Sequence, residues 1–457
     1  MGVNRHPTHD APADPPVGEP VELASLTSAA PHWYHRATSR LDPFWHGMVD
    51  WTHSASWESR ELAGRLADAG LRHLSNREAR ADPVRARRLV GNERDALESL
   101  GAIAMWRTLT ADQVAAFAGW VPPELESRGP DALTRWRDTP RWLRNLWAAG
   151  LVEIGTINAK RPGLPYLFRP IRSPEVEHWV DQLPRAERLA LTAGQPWTEG
   201  PRYAERHNLI AAEMGLRLAE FCEVGTVLGE AVGGHHLLDV TGQRDKTGSD
   251  AADLVVVRPD GLRIAVEMTM GRSGLERKVA RTVDLLCETD FEESGTVVLF
   301  VEATSPYTSM PTTVWNRLRK VISEAVAARP DGPARRLGER IAVARWSWWF
   351  PEAGFVHPSF VSLACHRPTG TGAGRWERAD LLDVIDVGYS AAGSAPLDVL
   401  SNAQSVYGVP RWLRDGGSGL DVSGFALDLL GASGTAIDPR DRGPAAGSPG
   451  EPPTPAA

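Results

Sequence analysis

The sequence predicts an α+β chain in which a helical unit closes on a β-hairpin and is followed by a unit of order α-β-β-β-α-β. Three observations carry this expectation. Helical spacing at residues 139–150 runs directly into Leu151-Val152-Glu153-Ile154, a turn-prone Asn158 to Gly163 and Tyr166-Leu167-Phe168. Helical spacing at 202–222 precedes strand patterns at 224–232, 252–258 and 262–268, helical spacing at 275–286 and a wholly apolar run at 296–301. Between the second and third of those strands stands Pro259-Asp260-Gly261, a tight-turn sequence.

The chain has 457 residues, enough for two or three domains. Its net charge of −8 argues against indiscriminate coating of nucleic acid, which needs clustered positive charge. Lysine is confined to Lys160, Lys246, Lys278 and Lys320, so each invites a reason. Cys222, Cys287 and Cys365 show no metal-ligand spacing, which excludes a structural zinc site of the usual kind. Such sparse cysteine fits a cytoplasmic protein. No apolar run approaches the roughly 18 residues of a membrane span, and the first residues lack a signal-peptide core. We therefore expect no membrane partner.

Composition divides the chain further. Residues 1–30 and 416–457 are rich in Pro, Ala and polar residues and are expected to be disordered. Residues 31–90 read as a helical leader whose Trp33, Trp45, Trp51 and Trp57 pack it onto the next unit, 91–172. A connector follows at 173–200, then a unit over 201–375 and a C-terminal extension over 376–415. Residues 312–328 show helical spacing, and 340–349 resemble a strand.

Within 91–172, Thr110 and Gln113 have capping-box spacing, with Leu109 and Val114 placed as a hydrophobic staple. Thr139 is a good N-cap, with Pro140 at the first helical position. Leu143, Leu146 and Trp147 share one face of that helix, and Gly150 ends it. Its other face carries Arg141, Arg144 and Asn145, and the following hairpin loop carries Lys160 and Arg161. Residues 135–172 hold eight basic residues against Asp138 and Glu153. Helix, Gly-Leu-Val-Glu and hairpin together resemble a winged helix-turn-helix. That resemblance implies DNA as partner, with the third helix in the major groove and the wing on the backbone. The DNA-binding residues would be Arg141, Arg144, Asn145, Lys160 and Arg161. The same fold also serves protein–protein contact.

In the second unit, a three-residue turn at 259–261 pairs Arg258 with Leu262, so paired positions sum to 520 and Asp253 falls opposite Glu267. Opposite residues share a sheet face, with Cβ atoms about 5 Å apart. Two carboxylates so placed can chelate Mg²⁺, a cation of oxygen ligands. The alternative is a half-buried Glu267 on a face that meets solvent. The order α-β-β-β-α-β with these acids resembles the PD-(D/E)XK nuclease core, whose motif is an acid, a hairpin and Glu-x-Lys. This resemblance implies catalytic and metal-binding roles for Asp253 and Glu267, and an additional acidic ligand on the first helix at Glu213. His207 opens that helix. Thr269 stands where the family has Lys. In some members this Lys migrates to the next helix, where Lys278 lies; Lys246 is a second candidate, and Lys278 on a solvated helix face is the plainer alternative. Asp245 and Asp250 are substitute ligands if the register shifts.

His207-Asn208-Leu209, Ala252-Asp253-Leu254-Val255 and Val266-Glu267-Met268-Thr269 behind the winged helix resemble the replication-relaxation family over roughly residues 94–305. That resemblance implies a DNA-binding protein of a bacterial plasmid or integrative element, acting in replication or transfer. The nuclease-like fold is then either catalytically silent or an Mg²⁺-dependent endonuclease or nickase.

Overall fold

The computed structural model describes residues 18–28, 42–45, 48, 55–70, 76–120, 139–157, 166–198, 205–233, 251–288, 290–305, 311–369, 375–393 and 395–414. It is a mixed α+β structure built on two main sheets.

The first sheet gathers helices of the N-terminal half around it. In chain order its surroundings are β1 (Ser56–Glu58), α1 (Arg60–Asp68), α2 (Pro83–Gly91), α3 (Arg94–Trp106), β2 (Leu109–Thr110), α4 (Ala111–Ala118), α5 (Arg141–Ala148), β3 (Val152–Thr156) and β4 (Leu167–Pro170). The strands pair antiparallel in the order β1-β3-β4-β2. The capping box at α4 is present in both directions: Thr110 Oγ1 accepts from the Gln113 N–H, and Gln113 Oε1 accepts from the Thr110 N–H. Helix α5 starts one residue later than the sequence suggests. Pro140 is extended (φ −52°, ψ 148°) and is itself the N-cap, its carbonyl accepting from the Arg144 N–H. Gly150 ends the helix at φ +69°, a conformation that Gly adopts without Cβ strain.

Helices α6 (Pro174–Asp181) and α7 (Arg185–Thr192) occupy the connector, and α7 packs on α3. The second sheet follows: α8 (Glu205–Phe221), β5 (Thr226–Gly229), β6 (Leu254–Val257), β7 (Arg263–Thr269), α9 (Leu275–Glu288), β8 (Thr296–Glu302), α10 (Pro311–Ala327), β9 (Ile341–Arg345), β10 (Ala364–Pro368) and β11 (Trp376–Asp380). Its seven strands lie in the order β11-β10-β9-β8-β7-β6-β5. Strands β7, β8 and β9 are parallel and joined by the helical crossovers that parallel pairing requires; the flanking pairs are antiparallel. Every residue of β7 and β8 is buried, as expected of strands covered on both faces.

Four boundaries differ from expectation. Trp346–Trp349 form a helical turn rather than continuing the strand, because Trp346 and Trp349 are both fully buried three residues apart, a helical and not an alternating spacing. Val21–Glu22 pair with Phe355–Val356 and bury Leu23, so part of 1–30 is ordered by a partner far away in sequence. The sheet runs past residue 375 into β11. In the leader, β1 joins the first sheet, while the Trp45 indole donates to the Phe350 carbonyl beside the second; Trp33 and Trp51 lie outside the described residues.

One hydrophobic cluster runs from Leu23 to Trp412 and crosses both sheets. Trp106, at the end of α3, joins its parts: the indole donates to the Gly408 carbonyl at 2.9 Å and packs against Gly215 of α8 and Gly229 of β5. A Cβ at Gly215 would run into that ring. Gly215→Ala is therefore expected to destabilise the protein by about 1–3 kcal/mol through overpacking, despite the better helix propensity of Ala, and urea denaturation measures it.

Candidate active site

Strands β6 and β7 set the site by their register. Leu254 pairs with Val266, and Val257 with Arg263, which puts Asp253, one residue before β6, opposite Glu267. The Met268 N–H donates to Asp253 Oδ2 at 2.6 Å, which fixes the carboxylate against the strand. Helix α9 begins a few residues beyond β7, and Lys278 projects from its first turn back over the sheet end. Its Nζ lies 3.4 Å from Asp253 Oδ2 and donates to Glu267 Oε2. From the opposite side, His207, in the first turn of α8, places Nε2 2.6 Å from Asp253 Oδ1. Four side chains from three elements and one hairpin approach thus meet at one end of β6 and β7.

The site is graded in exposure. The side chains of Asp253 and Glu267 are 13% and 9% exposed, those of Lys278 and His207 28% and 26%. The acids form the floor and the cations the rim, so an incoming anion meets Lys278 and His207 before the acids.

Burial opposes ionisation of Asp253, but His207, Lys278 and the Met268 N–H outweigh it and hold the carboxyl well below the usual range. Burial pushes Glu267 the other way, up to about 7, with the Asp253 charge adding to it and Lys278 opposing it. Burial would also lower Lys278, yet the two carboxylates win and keep its ammonium charged above the ordinary lysine range. His207 likewise rises, because Asp253 outweighs its burial. Two neighbouring carboxyls driven apart in this way form one permanent anion and one proton-exchanging group.

Two further residues belong to the surroundings. Thr269 shares the Glu267 face of β7, is 5% exposed, and its Oγ1 has no hydrogen-bond partner among the described residues. Glu230, in the short turn after β5, has its carboxyl pushed above the usual range by burial, against the pull of Arg107, and feels the charges of Asp253, His207 and Lys278. Glu230 was not singled out from sequence; an acid directly after an apolar strand was the available signal.

Glu213 does not join this site. It lies further along α8, fully buried, where Oε1 accepts from Arg217 Nε at 2.8 Å and Oε2 from Gln113 Nε2 at 3.3 Å. Its place on the helix is two turns beyond His207, against the leader and α4 rather than the strand ends, which corrects the expected ligand role. Glu213→Gln should leave metal affinity at Asp253 and Glu267 unchanged while lowering the melting temperature, with calorimetric titration and thermal denaturation as the two measurements.

The donor set suits a hard divalent cation. Among the described residues no three His, Cys, Asp or Glu side chains form a ready-made metal cage. Mg²⁺ is commonly held by one or two carboxylates with water and substrate phosphate completing the shell, and Asp253 with Glu267 supplies that pair. Lys246, Asp245 and Asp250 lie outside the described residues.

On the first sheet, Arg141 is exposed and Asn145 half-buried. Arg144 is not available as expected: Nη1 donates to Glu78 Oε1 at 3.1 Å, because the leader turn Asn76–Ala79 packs against the polar side of α5. Arg169 is also committed, buried beneath Trp57 (4.2 Å to the ring centre) and paired with Glu153. Lys160 and Arg161 lie outside the described residues. No helix among the described residues is long and apolar enough to cross a membrane.

No protein-family model, curated protein or solved structure matches the chain.

Proposed function

We propose that this protein acts on DNA, and that His207, Asp253, Glu267 and Lys278 form a metal-dependent phosphodiester-cleaving site of the PD-(D/E)XK kind. The observation that carries the reading is Lys278. The motif lysine missing at Thr269 has a substitute whose ammonium reaches both carboxylates from α9. The order α8-β5-β6-β7-α9-β8, with β7 and β8 parallel, supports the same reading, as does the order α3-β2-α4-α5-β3-β4 for a winged helix ahead of it. The role that follows is cleavage or nicking in the replication or transfer of a plasmid or integrative element, the setting that the resemblance to replication-relaxation proteins implies.

Each residue has a task in this scheme. Asp253 and Glu267 would hold Mg²⁺, which when bound polarises the phosphate and makes a water more acidic. Lys278, at the rim, offers a fixed positive charge to the phosphate oxygens as negative charge builds on them. His207 and the Met268 N–H hold the Asp253 carboxylate in one orientation.

A second reading is favoured by one feature of the same cluster. Lys278 and His207 already neutralise the carboxylates from within the chain, a state that needs no metal. The protein would then bind DNA through a cleavage-incompetent scaffold. Titration of Mg²⁺ into wild type and Asp253→Ala/Glu267→Ala, followed by incubation with supercoiled plasmid and Mg²⁺ or Mn²⁺, separates the two. Carboxylate-dependent binding with nicking is the expected result. No binding and no nicking, with DNA retained in a gel shift, would leave the scaffold.

A further inference from the structure

The leader carries more uncompensated positive charge than the third helix, where Arg144 is paired with Glu78 and Arg141 is left exposed. Residues 76–92 contain Arg77, Arg80, Arg85, Arg87 and Arg88 against Glu78 and Asp82. Both acids are occupied, Glu78 by Arg144 and Asp82 by the Val84 N–H at the α2 N-cap. Arg87 donates to the Ala149 carbonyl at 2.9 Å, and Arg80 lies 3.8 Å from Asp68. Arg77, Arg85 and Arg88 are exposed and make no ion pair among the described residues, and neither does Arg141 on α5.

The helix geometry gathers these groups. Ala86 and Val90 bury one face of α2, and that helix packs on α5. The opposite face presents Val84, Arg85, Arg88 and Leu89, with Val84 61% and Leu89 40% exposed. Arg77 is the chain neighbour of Glu78, which holds Arg144, one turn along α5 from Arg141. Among the described residues, four guanidinium groups without an ion pair therefore stand on α5 and on two segments packed against it, in a chain whose net charge is −8. A protein that is acidic overall attracts a polyanion only through such a local cluster.

We infer that the exposed face of α2, with Arg77 and Arg141 beside it, is a docking surface for the phosphate backbone of duplex DNA. The inference rests on the DNA reading above, and it puts most of the docking contacts on the leader, with Arg141 the contribution of α5. Guanidinium groups suit this task because each presents a planar fork of donors to phosphate oxygens. The surface carries no sequence readout; it would position a duplex while the cluster at Lys278 does its work.

The test is fluorescence anisotropy of the full chain on a duplex of about 30 base pairs across a salt series, with wild type, Arg85→Ala/Arg88→Ala and Arg85→Lys/Arg88→Lys. Both positions are exposed and Ala is a good helix former, so the variants should melt with wild type. The Ala variant is expected to weaken binding at least tenfold at low salt and to flatten the slope of log K against log salt by about 1.8, from about 0.9 per phosphate contact. The Lys variant should keep most of the slope. Unchanged affinity and slope in the Ala variant would overturn the inference. So would a wild type that binds phosphatidylserine vesicles, through the same arginines, but no duplex. Mg²⁺ titration at Asp253 and Glu267 does not involve these residues, so failure here is distinguishable from failure of the active-site reading.

Discussion

Lys278→Met should abolish plasmid nicking, by about 10²–10³-fold or more, while Mg²⁺ binding is kept or tightened. The size follows from removing one preorganised charge aimed at the developing phosphate negative charge. The direction of the binding effect follows from where the ammonium sits. Nζ donates to Glu267 and lies 3.4 Å from Asp253, so in the metal-free protein it is the carboxylates' own counter-ion. Removing it leaves a buried and a half-buried carboxyl on facing strand positions with only His207 to balance them, so ionising both costs repulsion. A divalent cation then relieves more repulsion in the variant than in wild type, and the Mg²⁺-induced rise in melting temperature should be larger. The pH dependence has a definite sign. Without Lys278, Glu267 loses the group that opposes its upward displacement from about 7, so the folded variant holds its proton to higher pH than the unfolded chain does. A folded state that binds more protons loses stability as pH rises. The stability deficit of the variant should therefore be small near pH 5 and grow through pH 8. Loss of both nicking and Mg²⁺ binding in a variant that melts normally would instead make Lys278 part of the metal-binding structure and remove its separate role.

The contrast between what local pattern reveals and what it hides runs through this site. The facing of Asp253 and Glu267 was legible because one short turn, Pro259-Asp260-Gly261, sets the register of an adjacent hairpin, and the observed pairs do sum to 520. Lys278 was legible as a candidate because α9 follows β7 directly. His207 was a weak candidate from sequence; only the packing of α8 against β6 brings its ring to Asp253. The failures concern partners that local periodicity cannot name. Arg144 has the spacing of an exposed helix face, and nothing near it in sequence announces that Glu78, 66 residues earlier, will cover it. Glu213 lies on the same helix as His207, but two turns along the helix axis carries it out of reach of the strand ends. The strand pairings that widen the second sheet to β11, and that add β1 to the first, join segments whose own composition is equally compatible with loops.

The fate of Glu213 leads to the largest stability effect we expect. Arg217, one turn along α8, is 3% exposed and sits between two acids: Nη2 is 2.6 Å from Asp42 Oδ2, and Nε 2.8 Å from Glu213 Oε1. Its guanidinium also lies 4.0 Å from the ring centre of Phe350. Asp42 in turn accepts from the Phe44 and Trp45 N–H groups, so this one side chain ties the leader to α8 and to the turn after β9. Burial disfavours the charge on Arg217, but Asp42 and Glu213 more than offset it and hold the group above its ordinary value. Arg217→Met removes the cation and strands charge on two carboxylates that are 5% and 0% exposed. Breaking a buried pair in this way costs about 3–5 kcal/mol, a large fraction of a typical folding free energy. Urea denaturation should show a lower midpoint at an unchanged slope. The triple change Asp42→Asn/Glu213→Gln/Arg217→Met should recover much of the loss, because the cost lies in the stranded charges rather than in the pair itself. A triple variant no more stable than Arg217→Met would locate the stabilisation instead in the packing of the guanidinium on Phe350 and Trp346.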